Sequence, residues 1–385
     1  MTSEEVTLAQ ALVRIPSENP IGTEKEIGKF ITNWLSRISN VEAKEYEVQR
    51  DRFNIVAILR GRQHHAGLAY VAHMDTVPVG MGWSEDPFGG TIKGNALYGR
   101  GSVDMKGGLA AAMVAFKRVA ESGQQPQEDF LFCATVDEEG MEMLGAVDLA
   151  NRGLIDRETV VLAPEPNSLT LTVEHKGVVW YEIEAIGKSA HAGNPQMGAD
   201  AVLATGQAIV ALKNLIEKLP YESEYLGRST ITFGRVEGGT KTNVVPNYAR
   251  CEIDVRIVEP MSISQLTELI TKTVNDTIVD SGISFHVRHI NIDRPPVKAE
   301  SDCAFVNEIK AAFRGRTGRG IEICGFPAYT DAAIISARTG NRYCYVFGPG
   351  ALKDAHTVDE HIIVDEIEIA TDVLTATAER VLFGK

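Results

Sequence analysis

Short runs in which nearly every residue is apolar constrain this chain more than any other feature. They are Ile55–Leu59, Leu68–His73, Phe130–Val136 and Val160–Ala163. A strand with one wet face alternates apolar and polar residues, so unbroken runs call for cover on both faces. Helical patterns lie around them. Thr23-x-x-Glu26 reads as a capping box opening the amphipathic run Ile27, Phe30, Ile31, Trp34, Leu35 and Ile38. Lys106-Gly107-Gly108 leads into a small-residue helix, Leu109–Ala120, and another helix lies around Leu144–Ala150. Apolar strands separated by helices predict an α/β domain, a largely parallel mixed sheet covered by helices.

The pattern changes after Gly177. Val178–Ile186 alternates as a half-exposed antiparallel strand does. A helix over 199–219, strands near 229–236 and 249–255, a helix over 263–279 and a strand near 284–290 follow. The order β-α-β-β-α-β is the ferredoxin-like split motif. Arg294-Pro295-Pro296 marks the return to the first pattern. Ser301 is placed to cap a helix through Phe313. A strand at Ile321–Cys324, a helix from Asp331, a strand at Tyr343–Phe347 and a helix from Asp365 come next. Residues 1–177 and 291–385 are therefore read as one discontinuous domain, with 178–290 inserted as a compact α+β domain.

A length of 385 residues exceeds what one core usually serves, in keeping with two domains. The formal net charge of −14 argues against nucleic acid or an anionic membrane surface as partner, since both reward a basic face. No apolar stretch reaches the length of a membrane span, and the N-terminus lacks the basic-then-apolar pattern of a secretory signal. Five scattered cysteines with no C-x-x-C pair read as free thiols in a reducing compartment. Together these predict a cytoplasmic protein.

The chemistry-bearing residues sit where the apolar segments end. His73 and Asp75 close one run, Glu138 and Glu139 another, and Glu165 lies between Pro164 and Pro166 after a third. Asp104 stands in a glycine-dense loop before a helix, and His356 returns from the far end of the chain. Each has a bland reading: a satisfied core histidine, a carboxylate on a helix dipole, a solvated acid pair, a rigid turn. As a set they are two imidazoles, several carboxylates and one spare carboxylate, which is what two divalent cations and a proton shuttle need. Asp75 is suited to take the distal N–H of His73 and fix its tautomer. Neighbouring side chains at a strand end point different ways, so Glu138 and Glu139 do different jobs.

Five stretches, in order, resemble the zinc aminoacylases and carboxypeptidase-G-like metallopeptidases, a family that includes acetylornithine deacetylase and succinyl-diaminopimelate desuccinylase. They are Ala72–Pro78, Gly99–Gly108, Asp137–Gly140, Gly187–His191 and Ala355-His356. The resemblance implies a catalytic domain with a smaller lid and dimerisation domain. It implies one metal on His73 and Glu165, a second on Glu139 and His356, and Asp104 bridging them through a cis peptide to Met105. Zinc suits these ligands, with cobalt or manganese as substitutes. It makes Glu138 the general base and Asp75 the residue that orients His73. It carries His191 across a homodimer interface to stabilise an oxyanion, and it gives Asn243, Arg256, Thr330-Asp331 and Gly348 contacts to a substrate carboxylate. For Arg256 a surface salt bridge is the alternative. The activity implied is hydrolysis of the amide of an N-acyl amino acid, with a dipeptidase or carboxypeptidase as alternative. A non-catalytic scaffold relative would be expected to lack a ligand or the base, and all of them are present.

Overall fold

A computed structural model describes residues 2–20, 24–278 and 282–384. Thr23, half of the expected capping box, and Val279, the expected end of a helix, lie outside them. The chain divides into two compact units. One comprises Met1–Val173, Ala299–Phe326 and Thr330–Lys385, the other Glu174–Lys298 with Pro327–Tyr329.

The first unit is built on a sheet whose middle is parallel. Strand Ala66–His73 runs parallel to Asp129–Thr135 on one side and to Val160–Ala163 on the other, and Cys344–Val346 continues in parallel beyond. Antiparallel strands finish the edges, with Val41–Gln49 and Arg52–Leu59 at one end. Every residue of Asp129–Thr135 and all but the first of Ala66–His73 are buried, so both faces of the middle strands are covered. Helix Gly107–Ala120 packs on helix Val364–Phe383, and helix Leu144–Asn151 on helix Asp331–Thr339. The edge strand Val41–Gln49 was not legible as a strand because charged residues fill it and nothing in it is fully buried. Ser301 does not cap the next helix. That helix runs Ala304–Thr317, and Cys303 takes the cap position without a side-chain bond.

The second unit is a four-stranded antiparallel sheet carrying two helices. Strand Gly177–Ile186 lies between Tyr248–Ile257 and Ser284–Arg294, with Thr230–Gly238 at the edge. Helices Ala201–Glu217 and Ile263–Asp276 place Leu212, Ile216, Leu266 and Ile270 against Tyr181, Ile183, Ile253 and Val255. The alternating burial of Tyr248–Ile257 is the one-faced pattern that an open sheet requires.

Candidate metal centre

Parallel strands bring their carboxyl ends to one edge, the place where open α/β sheets keep their chemistry. His73 ends its strand opposite Thr135. Glu138 and Glu139 follow the strand that ends at Thr135, and Glu165 follows the strand that ends at Ala163. Close packing of backbone makes room for the third acid. A Cβ at Gly108 would collide with the Pro164 carbonyl oxygen, and one at Gly348 would meet the Glu165 carbonyl oxygen at 2.5 Å.

His73 is 1% exposed and held on both ring nitrogens. Its Nδ1 lies 2.9 Å from the Asp75 carbonyl oxygen, so Nδ1 carries the hydrogen and Nε2 is left to ligate. The Asp75 carboxylate is 3.6 Å from that nitrogen. The backbone of Asp75, rather than the expected side chain, therefore sets the tautomer. The carboxylate instead accepts the backbone N–H groups of Glu138 and Glu139, each at 3.1 Å.

Asp104 splits its two oxygens between the two histidines. Its Oδ1 is 3.0 Å from His73 Nε2 and its Oδ2 is 3.4 Å from His356 Nε2. The Asp104–Met105 peptide is cis, as the resemblance implied. The loop that carries Asp104 rests on a buried acid that the sequence reading missed. Glu360 Oε1 accepts N–H from Val103 at 2.9 Å and Asp104 at 3.1 Å, while Oε2 accepts from Gly101 at 3.0 Å and from Arg100 Nη1 at 2.5 Å. Nothing in the local sequence marks Glu360. Only the buried Arg100, whose charge needs a partner, could have pointed to such an acid.

Around the His73–Asp104 pair, Glu165 Oε2 stands 3.7 Å and Glu138 Oε2 3.9 Å from His73 Nε2. His356, at positive φ, reaches Glu139 Oε1 at 3.0 Å, with about half of its side chain exposed. Two triads follow, His73–Asp104–Glu165 and Asp104–Glu139–His356, each with its candidate ligand atoms within 4.8 Å of one another. They share Asp104. A third triad of the same tightness, His73–Glu138–Glu139, brings Glu138 beside both.

The electrostatics of the pocket call for positive charge. Burial opposes a charge on His73, yet Glu165 and Asp104 hold its pKa well above the ordinary value. Hydrogen bonds to Asp104 and Glu139 raise His356 to about 10. Burial lifts Glu139 to about 7, with Asp104 adding to it, and burial likewise pushes up Glu165. Burial and then the charges of Glu165 and Glu139 carry Glu138 well above the usual carboxylate range, against the pull of His73. Glu165 Oε1 is buried with no hydrogen-bond partner. Crowded carboxylates, two imidazoles and an orphaned oxygen are the donor set of a hard or borderline divalent cation, so these residues fit a metal pair.

The remaining expected residues divide between the two units. Thr330 is buried and precedes helix Asp331–Thr339. Asp331 accepts from Thr135 Oγ1 at 2.5 Å, and burial lifts it to about 7. The Gly348 N–H already donates to Asn167 Oδ1 at 3.0 Å, so in this structure that N–H is not available to a substrate carboxylate. In the second unit, His191 is exposed and its Nδ1 accepts the Gly193 N–H at 3.0 Å, which leaves Nε2–H as the donor of the neutral ring. Asn243 is exposed, and its carbonyl accepts the Ala192 N–H at 3.1 Å. Arg256 forms a fork on Asp254 at 2.7 and 2.9 Å, the salt bridge held open as the alternative to a substrate contact.

The model of peptidase family M20/M25/M40 matches residues 69–380. A protein of Talaromyces marneffei named as a probable carboxypeptidase is 29% identical to this chain, covering 96% of it and 84% of its own length. The acetylornithine deacetylase of Vibrio vulnificus is 28% identical, over 92% of this chain and 90% of its own. The crystal structure of the Bacillus subtilis YXEP protein, described as a dinuclear metal binding peptidase from the M20 family, superposes with a TM-score of 0.75. It is 18% identical and covers 98% of this chain and 97% of its own.

Proposed function

The chain belongs to peptidase family M20/M25/M40, and from that premise we propose that it removes the acyl group of an N-acyl amino acid by hydrolysis of the amide. It is a metal-dependent hydrolase of amide bonds, in a family of dinuclear metal enzymes. One observation carries the reading, the division of the Asp104 carboxylate between two histidines with Glu138 beside His73.

His73, Asp104 and Glu165 would hold one cation, and Asp104, Glu139 and His356 the other. When bound, such a pair supplies Lewis acidity that polarises the amide carbonyl and makes water a stronger acid. Zinc fits the nitrogen and oxygen donors, with cobalt or manganese as substitutes. Glu138 takes a proton from the attacking water. The water oxygen bonds to the carbonyl carbon, the C–N bond breaks, and Glu138 returns the proton to the leaving nitrogen. Its place beside His73 Nε2, at 3.9 Å, puts it within reach of both steps. Asp75 holds the Glu138 and Glu139 backbone and orients His73 through its carbonyl group.

Residues 178–290 act in this reading as lid and homodimerisation domain. His191 donates to the oxyanion in the partner's site through Nε2–H, and Asn243 and Arg256 engage the substrate carboxylate. Arg256 would exchange Asp254 for that carboxylate. Among the described residues no helix is long and apolar enough to cross a membrane, and the five cysteines are free, which supports a cytoplasmic location.

A hydrolysis screen in zinc or cobalt tests the substrate class. N-acetyl, N-succinyl and N-formyl amino acids should be cleaved in preference to dipeptides. The converse preference would establish the carboxypeptidase or dipeptidase reading, which the Talaromyces marneffei relative favours. Mixing His191→Ala with Glu138→Ala chains should restore part of the lost activity in heterodimers. No recovery would place His191 outside the chemistry.

A further inference from the structure

Behind the Glu138–Glu139 segment lies a buried polar chain that the proposed reaction leaves unexplained. Asp75 accepts the Glu138 N–H on Oδ1 and the Glu139 N–H on Oδ2. The Asn19 side-chain amide donates to Asp75 Oδ2 at 2.8 Å and to Asp137 Oδ1 at 3.0 Å. Arg52 Nη1 also donates to Asp137 Oδ1 at 3.0 Å, and its Nε reaches Glu24 Oε2 at 3.1 Å. Glu24, Arg52, Asp137, Asn19 and Asp75 are all buried. The Asn19 backbone is tied beside Asp75, since its N–H donates to the Thr76 carbonyl at 2.8 Å and the Thr76 N–H donates to Ser17 at 3.0 Å. A Cβ at Gly140 would press on the Asp137 carboxylate, so the turn after Glu139 closes directly over this chain.

The charges along the chain are uneven. Arg52 serves both Glu24 and Asp137. No lysine or arginine among the described residues ion-pairs with Asp75; His73 Nδ1 stands 3.6 Å from its carboxylate, and the hydrogen bonds it accepts come from Asn19 and two backbone N–H groups. A carboxylate taken out of water needs such donors, and losing one costs far more than the net value of the bond. An asparagine amide carries two N–H hydrogens, one for each carboxylate. We propose that Asn19 is a positioning residue, a two-donor clip that fixes Asp75 and Asp137 on either side of the segment and thereby places the Glu138 and Glu139 side chains. This rests on the reading of Glu138 as proton shuttle and Glu139 as ligand.

Asn19→Asp keeps the side-chain volume and removes both donors, which separates this role from packing. The full chain should lose about 100-fold or more in kcat while KM moves by no more than about threefold. In metal-free protein, backbone amides of residues 136–143 should exchange with deuterium at least about tenfold faster, with strand Asp129–Thr135 unchanged. Asn19→Ser, with one hydroxyl hydrogen for two carboxylates, should fall between. The double variant Asn19→Asp/Asp137→Asn restores a donor between positions 19 and 137 and should recover part of the lost Tm, but it leaves Asp75 without its donor, so kcat should stay low. Wild-type kcat and exchange in Asn19→Asp, or recovery of kcat in the double variant, would overturn the proposal. If Asn19→Asp fails to fold, an Asn19→Ser chain with unchanged kcat and exchange overturns it equally. If the wild-type chain hydrolyses no amide, the proposed reaction is wrong, and the exchange comparison alone decides the role of Asn19.

Discussion

Two ligand-bearing loops stand on two buried carboxylates, and the supports differ in charge. The loop of Asp104 hangs by three backbone N–H groups from Glu360, which has its own guanidinium in Arg100. The segment of Glu138 and Glu139 hangs by two N–H groups from Asp75, which has the neutral amide of Asn19. In the proposed reaction Asp104 stays ionised between two cations, and a nearby guanidinium does it no harm. Glu138 gains and loses a proton there, and its segment keeps its guanidinium one step further off, Arg52 on Asp137 rather than on Asp75.

The contrast can be broken by substitution. Glu138→Ala removes the group that moves and should cut kcat by about 10²–10⁴-fold, with metal content retained on analysis. Near-wild-type turnover would end its role as base. Glu360→Ala should cost about 3–5 kcal/mol in urea denaturation, because Arg100 is left buried and unpaired. A loss of kcat with stability intact would mean that both supports serve positioning alone. Gly108→Ala drives a Cβ into the Pro164 carbonyl and should cost about 1–3 kcal/mol, read the same way. Asp276→Ala removes an exposed ion pair with Lys272 on a helix of the second unit, far from either support in character. It should leave Tm unchanged within error, and a clear drop would show that exposed pairs here matter as much as buried ones.

The sequence disclosed most where one property repeats along the chain. Continuous apolar runs marked the middle strands; alternation marked Val178–Ile186 as a strand, but the half-exposure it predicted is absent, since most of Gly177–Ile186 is buried. The ligand set was legible because His73, Glu138, Glu139 and Glu165 each follow such a run. Edge and support elements were not. Val41–Gln49 is half charged, and strand Leu171–His175 is too short to separate from the turn before it. Asn19, Asp137 and Glu360 carry no local signal, since what defines them is a partner tens to hundreds of residues away. Asp75 was found for one reason and works by two groups, its carbonyl on His73 and its carboxylate on Glu138 and Glu139. A sequence names the residue but not which of its atoms faces which neighbour.

The discontinuity of the first unit has a consequence for how the molecule is made. Gly101, Val103 and Asp104 leave the ribosome early, whereas Glu360 and His356 leave near the end, after the whole second unit. A nascent chain carries Asp104 on a loop whose amides still await Glu360. The second unit, contiguous apart from three residues, is free to fold in the interval, and the loop of Asp104 gains its support only afterwards.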